Sequence, residues 1–389
     1  MKDINFRETE DTLFLEEEHI ILKEQLNKFV KTELKPVAQK WESDGFIPRE
    51  VFRKMGSLGF LGITYPTEFG GSEMDVRGSV VFAEELGKST FSGFAIASLV
   101  HTDMASVHLL NAGNKEQKDK YLRDIVSGNK ISCVAVTEPH AGSDVKNIRT
   151  KAVKVGNKYL INGSKIFITN GVHSEIYFVA AKTSDALQQS DNITMFIVRK
   201  DNPGLIVNKQ LDKHGWRCSD TAELFFQDCE VEEADVLGKL HKGFYAIMQN
   251  FQNERLVMGA MAMGEAQAAI DSTVEYVKQR DAFGGKLWEK QTVRHKLAEL
   301  QSKVTAARYM VYGVANKVRL GIEVIKEVSM IKVLCGELVN KVMYTCLQLH
   351  GGTGYMTGTE IERLTRDARA QSIGGGATEV MLEEVAKRM

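Results

Sequence analysis

The sequence predicts an α+β chain in which a β domain sits between two helical domains, divided at 1–130, 131–236 and 237–389. Hydrophobic spacing is helical to about residue 130, breaks into short β-branched and aromatic runs to about 231, and is helical again after Gly238. The five prolines (Pro36, Pro48, Pro66, Pro139, Pro203) all precede residue 204, so the last 186 residues contain none, which permits long helices. At 389 residues the chain is also too long for one compact core.

In chain order, the opening MKDINFRETEDTLFLEEEH is acidic. A secretory signal is basic and then apolar, and a transit peptide is Arg-rich and acid-poor, so a cytoplasmic location is expected. The stretch EEEHIILKEQLNKFVKTELKPV puts Ile21, Leu22, Leu26, Phe29 and Val30 on one helical stripe. Helical texture continues through SVVFAEELGKS, GFAIASLVHTDMASVHLL and KEQKDKYLRDIVSG. Strand texture follows in ISCVAVTE, KYLING, KIFITNG, EIYFVAAKT, ITMFIVRK and AELFFQDCEV, separated by Gly, Asn and Asp turns. No apolar run approaches the ~18 residues of a membrane helix. A formal net charge of -1 argues against a nucleic-acid partner. Cys133, Cys218, Cys229, Cys335 and Cys346 are odd in number and lack any CxxC, which reads as reduced core thiols.

The common cofactor signatures are missing: no GxGxxG after a strand, no P-loop, no HExxH and no GxSxG. The nine histidines show no metal-ligand spacing, so no metal is expected. Two glycine clusters remain, HGGTGYMTG from His350 and QSIGGGATEV from Gln371. Either is a turn or a cradle whose amides approach an anion. A second anomaly lies in FYAIMQNFQNERLVMGAMAM. Ile247, Phe251, Glu254, Met258 and Met261 share one helical face, and only Glu254 among them is charged. Burial there would raise the carboxyl toward the range of a general base. The other reading is a Glu at a stripe edge with a basic partner. Arg255 points about 100° away and is not an automatic one.

VAVTEPHAGSDVKNIRTKA resembles the first signature of the acyl-CoA dehydrogenases, and QLHGGTGY with RLTRDAR resembles the second. KIFITNG, HGWRCSDTAELFFQDCEV, LHKGFYAIMQN and QRDAFGGKL lie between them in family order, so the resemblance spans essentially the whole chain. It implies an N-terminal α-helical domain, a middle β-barrel or sandwich domain and a C-terminal four-helix-bundle domain. It also implies FAD, an acyl-CoA substrate, electron-transfer flavoprotein as acceptor, and a homo-oligomer, a tetramer built as a dimer of dimers. Flavin contacts fall on Val134, Val136, Thr137, Gly142 and Ser143, and on Phe167, Ile168 and Thr169, where many relatives have Trp at Phe167. A neighbouring subunit would bring Arg280, Phe283, Gln291, Gln348, Gly351 and Gly352, and Glu379 is a further cofactor contact. Substrate contacts fall on Ser143, Phe251, Arg255, Gly375 and Gly376.

Many relatives carry the catalytic Glu where this chain has Gly375. Two subgroups, the long-chain and isovaleryl-CoA dehydrogenases, carry it in an ER pair on the helix instead, here Glu254-Arg255. The texture of ERLVMG is closer to the long-chain enzymes. By resemblance, then, Glu254 is the base, and Gly375 keeps an amide that polarises the thioester carbonyl. Ala377 stands where Thr is usual. The small residues of FSGFAIASLV, in the region that lines the acyl pocket, suit a medium-to-long or branched chain, isoprenoid chains included. Two alternatives are an O2-using acyl-CoA oxidase, disfavoured because such relatives run past the point where this chain stops, and a non-catalytic acyl-CoA or flavin-binding homologue.

Overall fold

The computed structural model describes residues 11–184 and 192–389. Part of the acidic N-terminus, residues 1–10, lies outside the described residues.

Among the described residues, seven α-helices precede the sheet: α1 (Glu17–Phe29), α2 (Ala38–Asp44), α3 (Arg49–Ser57), α4 (Val76–Gly87), α5 (Ser92–Leu99), α6 (Ser106–Ala112) and α7 (Lys115–Val126). Their starts are written in the sequence. Asp75 caps α4 by accepting from the Arg77 N–H at 2.8 Å, and Asn114 with Gln117 closes a reciprocal capping box on α7. The α1 stripe is rotated from the sequence reading. Leu22, Leu26, Phe29 and Val30 are buried with His19, while Ile21 is 47% exposed, because one residue turns a helix by 100°.

A π-helical turn, Val100–Ala105, joins α5 to α6 and makes one rod of Ser92–Ala112. By length and composition this rod could cross a membrane, which corrects the expectation that no such run exists. The window was missed because His101, Thr102 and Asp103 interrupt it. Of its most apolar 18-residue window, 89% is buried inside the protein, as in a core helix.

The strands are β1 (Ser132–Ala135), β2 (Lys151–Val155), β3 (Lys158–Thr169), β4 (Ile176–Lys182), β5 (Ile193–Arg199), β6 (Leu205–Gln210), β7 (Thr221–Glu232) and β8 (Val236–Leu237). They pair in the order β6-β7-β3-β2-β4-β5-β8, with β1 parallel to β4. One register pair, Lys151↔Lys182, links β2 to β4 and so joins the two halves of the sheet. The halves enclose a core that includes Tyr159, Ile161, Tyr177, Phe196, Leu224 and Phe226. Strands β2 and β6 escape the sequence reading because each is largely exposed, which erases the apolar alternation. KYLING and KIFITNG form one strand, with Gly163 serving a bulge rather than a turn.

After the sheet come α8 (Gly243–Gln279), a small hairpin of β9 (Asp281–Ala282) and β10 (Gly285–Lys286), α9 (Gln291–Arg319), α10 (Ile325–His350), α11 (Glu360–Ala368) and α12 (Thr378–Ala386). Helix α8 is the axis of the molecule, packed against α4, α9 and α10. It is therefore buried on every side from Glu254 to Ala266, not along the single stripe the spacing suggests. All five cysteines are free and buried.

The α4–α8 crossing depends on two facing glycines. A Cβ on Gly264 would overlap the Glu84 carbonyl, and one on Gly87 the Met261 carbonyl. Gly264→Ala is expected to destabilise the fold by about 1–3 kcal/mol, read from urea unfolding. A change within error would mean that the helices can part at no cost.

Candidate active site

Glu254 is 7% exposed on α8. Burial pushes its carboxyl up to about 8, against the smaller pulls of the Asn250 amide and the Arg255 charge. Asn250 Nδ2 donates to Glu254 Oε1 at 3.0 Å. Arg255, next in sequence, does not take the carboxylate as a hydrogen-bond partner. Its guanidinium stands 5.8 Å over the Phe251 ring, and its buried Nε has no acceptor among the described residues. The carboxyl at this site thus keeps its high proton affinity because no cation is clamped to it.

One turn along the same face, Met258 meets the glycine loop. Gly375 adopts φ +65°, and a Cβ there would run into the Met258 sulfur. No intrachain acceptor for the Gly375 N–H is found among the described residues. The loop hangs from α10 by a stripe at i, i+4 and i+8. Lys332 Nζ donates to the Gln371 carbonyl, Gly336 lets that carbonyl approach, and Asn340 Nδ2 donates to the Ala368 carbonyl at 3.0 Å. Ala377 is the N-cap of α12 and offers no side-chain cap.

A second group lies on the sheet. Phe167 occupies the bulge between Lys165 and Ile168 at φ +61°, with its ring 65% exposed. Ile168 turns the other way into the sheet core, and Thr169 is half-buried. The neighbouring segment from Val134 to Ser143 is stitched to this strand. Ile166 N–H donates to the Thr137 carbonyl at 3.0 Å, and Lys165 Nζ donates to the Val136 carbonyl at 2.8 Å. Lys165 also meets Glu138 Oε1 at 2.8 Å, both side chains fully enclosed. Burial works against the Glu138 charge, but Lys165 and the N–H groups of Arg149 and Thr150 outweigh it and hold the carboxyl below its usual range. Val136 is buried, Val134 and Thr137 are half-buried, and Gly142 and Ser143 are exposed.

The third group gathers at the far ends of α8 and α10. Arg280, Phe283, Gln291, Gln348, Gly351 and Gly352 are all exposed there. Tyr276 ties the two ends together by stacking on His350 at 4.2 Å and donating to its carbonyl at 3.2 Å. Phe283 stands 91% exposed at φ +53°.

Two aromatic rings held out to solvent on left-handed backbone are expensive features that ordinary packing does not require. A Cβ added at Gly142, Gly351 or Gly352 would touch nothing within 4 Å, so the backbone there is open to a ligand. Stacking faces together with bare amides fit a flat aromatic cofactor that carries a pyrophosphate.

Sequence reasoning passed over Asn250, Lys165 and Lys332, and read Met258 only as a member of the apolar stripe. Asn250 stands at i−4 from Glu254, a spacing that signals contact, and Lys332 sits in the otherwise apolar SMIKVL, which signals a buried amine with a partner.

The described family Acyl-CoA dehydrogenase matches the chain in three parts: its N-terminal domain over 16–129, its middle domain over 133–229 and its C-terminal domain over 241–389. The mitochondrial long-chain specific acyl-CoA dehydrogenase of Rattus norvegicus is 37% identical over 96% of this chain and 86% of its own length. The mitochondrial isovaleryl-CoA dehydrogenase of Pongo abelii is 37% identical over 94% of this chain and 87% of its own. A chain in the solved structure of the electron transferring flavoprotein of Acidaminococcus fermentans superposes with a TM-score of 0.93 at 34% identity, covering 96% of this chain and 98% of that one.

The Gly375 geometry yields a direct expectation. Gly375→Ala must move either the loop or Met258, so acyl-CoA-dependent flavin bleaching should fall at least about 10-fold in a protein that still binds flavin. An unimpaired rate would show that the amide's placement is immaterial.

Proposed function

The chain belongs to the acyl-CoA dehydrogenase family, and we propose that Glu254 is the base that removes the α-proton of its acyl-CoA thioester. The protein is a flavin-dependent oxidoreductase that dehydrogenates acyl-CoA across Cα–Cβ. The single observation that carries the proposal is a desolvated carboxylate one helical turn from Met258, which fills the space beside the side-chain-free Gly375. The flavin supplies the acceptor for the β-hydride. The chain's own groups do the rest. Glu254 in its ionised form takes the α-proton, and the unclaimed Gly375 N–H donates to the thioester carbonyl where negative charge develops. A preorganised donor of that kind is worth about 3–4 kcal/mol. We assign Phe251, Arg255, Gly376 and Ser143 to the substrate, a reading supported by the resemblance and by the place of Phe251 and Arg255 beside Glu254 on α8.

We read the flavin as FAD. The stacking face of Phe167 and the hydroxyls of Thr137, Ser143 and Thr169 suit its ring, and Ile168 would contribute through its main chain. Arg280, Phe283, Gln291, Gln348, Gly351 and Gly352 suit its pyrophosphate and adenine. Since they cluster at the opposite end of α8 from Glu254, we assign them to a neighbouring subunit's cofactor, within a dimer of dimers. Glu379, in the first turn of α12, joins the cofactor group on this subunit. Electron-transfer flavoprotein is the acceptor we propose, supported by the likeness to the Acidaminococcus fermentans chain. The acyl chain we propose is medium-to-long or branched. The likeness to long-chain and isovaleryl enzymes and the small residues Ser92, Gly93, Ala95, Ala97 and Ser98 support this reading. Division near residues 130 and 236 and a cytoplasmic location complete it, the latter supported by the five free thiols.

The test is flavin bleaching by acyl-CoA across pH. Only the ionised carboxyl accepts a proton, so the second-order rate should rise through about pH 8 and level off above it. Glu254→Gln should retain bound yellow flavin and lose about 10³-fold in rate. Near-normal bleaching by that variant would remove the proposal.

A further inference from the structure

Asn250 sits one turn before Glu254 on α8 and is 5% exposed. Its amide nitrogen faces three oxygens, Glu254 Oε1 at 3.0 Å, the Met104 carbonyl at 3.2 Å and the Asp103 carbonyl at 3.4 Å. Both carbonyls belong to the π-turn Val100–Ala105. A π-turn breaks the α-helical pairing of its segment and often marks a functional position. Here it presents main-chain acceptors to the flank of α8. Among the described residues, the hydrogen bond to the Glu254 carboxyl comes from Asn250.

Resting on the reading of Glu254 as the base, we propose that Asn250 is a positioning residue that pins Glu254 Oε1 to the π-turn and leaves Oε2 to take the substrate proton. The amide cannot swing away without abandoning two carbonyls that are enclosed in the core, so the carboxyl rotamer is fixed before substrate arrives. An N–H donor also favours the ionised carboxyl, in opposition to burial. The charged groups around the carboxyl are few. Arg255 on the same helix acts on it directly. Lys332 on α10, and Glu384 with Arg388 on α12, lie in the field of Arg255. Asp103 on the π-turn is buried, its carboxyl accepting from the Thr102 hydroxyl at 2.6 Å. Asn253 supplies the natural control. It donates to the same Asp103 carbonyl at 3.2 Å and gives the Glu254 carboxyl no hydrogen bond.

The experiment follows exchange of the α-hydrogens of a bound, non-oxidisable acyl-CoA analogue into D2O across pH in the holoenzyme, by mass spectrometry, and flavin bleaching beside it. Asn250→Ala should move the midpoint of both profiles upward by at least about one pH unit and lower the plateau. Asn253→Ala should lose a similar amount of thermal stability with the midpoint unmoved. If Asn250→Ala does not fold, Asn250→Ser is read by the same criteria. An unmoved midpoint in either folded Asn250 variant, or an equal shift in Asn253→Ala, overturns the assignment. Glu254→Gln in the same assay separates the two readings. Exchange that persists there removes the base itself. Exchange that vanishes there, beside an unmoved Asn250→Ala profile, removes this inference alone.

Discussion

Everything at the site follows from the desolvation of one carboxylate. Glu254 lies on the helix that α4, α9 and α10 enclose, so water cannot solvate its charge. Had Arg255 folded back onto it, the carboxyl would have become an ordinary ion pair with little appetite for a proton. The guanidinium lies over Phe251 instead. Helix geometry enforces that separation, because consecutive side chains leave the axis in different directions. Further along the same helix, α4 and α8 meet through Gly87 and Gly264, which let the two backbones approach closely.

The glycine loop is the counterpart of that helix. Its conformation depends little on its own residues, which are too small to pack. Lys332, Gly336 and Asn340 suspend it from α10, and Met258 limits how near it can come. A loop emptied of side chains thereby gains a fixed position from outside. On the sheet, Glu138 and Lys165 do similar work for the segment facing Phe167, gripping the Val136 carbonyl and the amides of Arg149 and Thr150.

How much of this was legible in the sequence varied with the distance over which each signal acts. The helix–sheet–helix order and the odd Glu254 on an apolar helix are encoded by residues close in the chain, and both could be read. The merging of two strands at Gly163, the exposed β2 and β6, and the rotation of the α1 stripe from Ile21 to His19 depend on neighbours remote in sequence. The π-turn had no local signature at all; the stretch read as helical, but Thr102 and Asp103 broke its apolar run and hid its membrane-like length. Asn250 was visible as a letter, but its role needed the Asp103 carbonyl, 147 positions away in the chain. Family resemblance named the expected flavin contacts, whereas only the fold shows which of them turn side chains outward, as Phe167 does, and which, like Ile168, turn inward.

The sealed Glu138–Lys165 couple has an evolutionary corollary. Losing either partner strands the other's charge in a medium that cannot host it, a penalty of several kcal/mol. Drift at these two codons is therefore concerted: descendants of this chain should keep both letters or replace both, and a lineage showing one without the other must neutralise or solvate the group left behind.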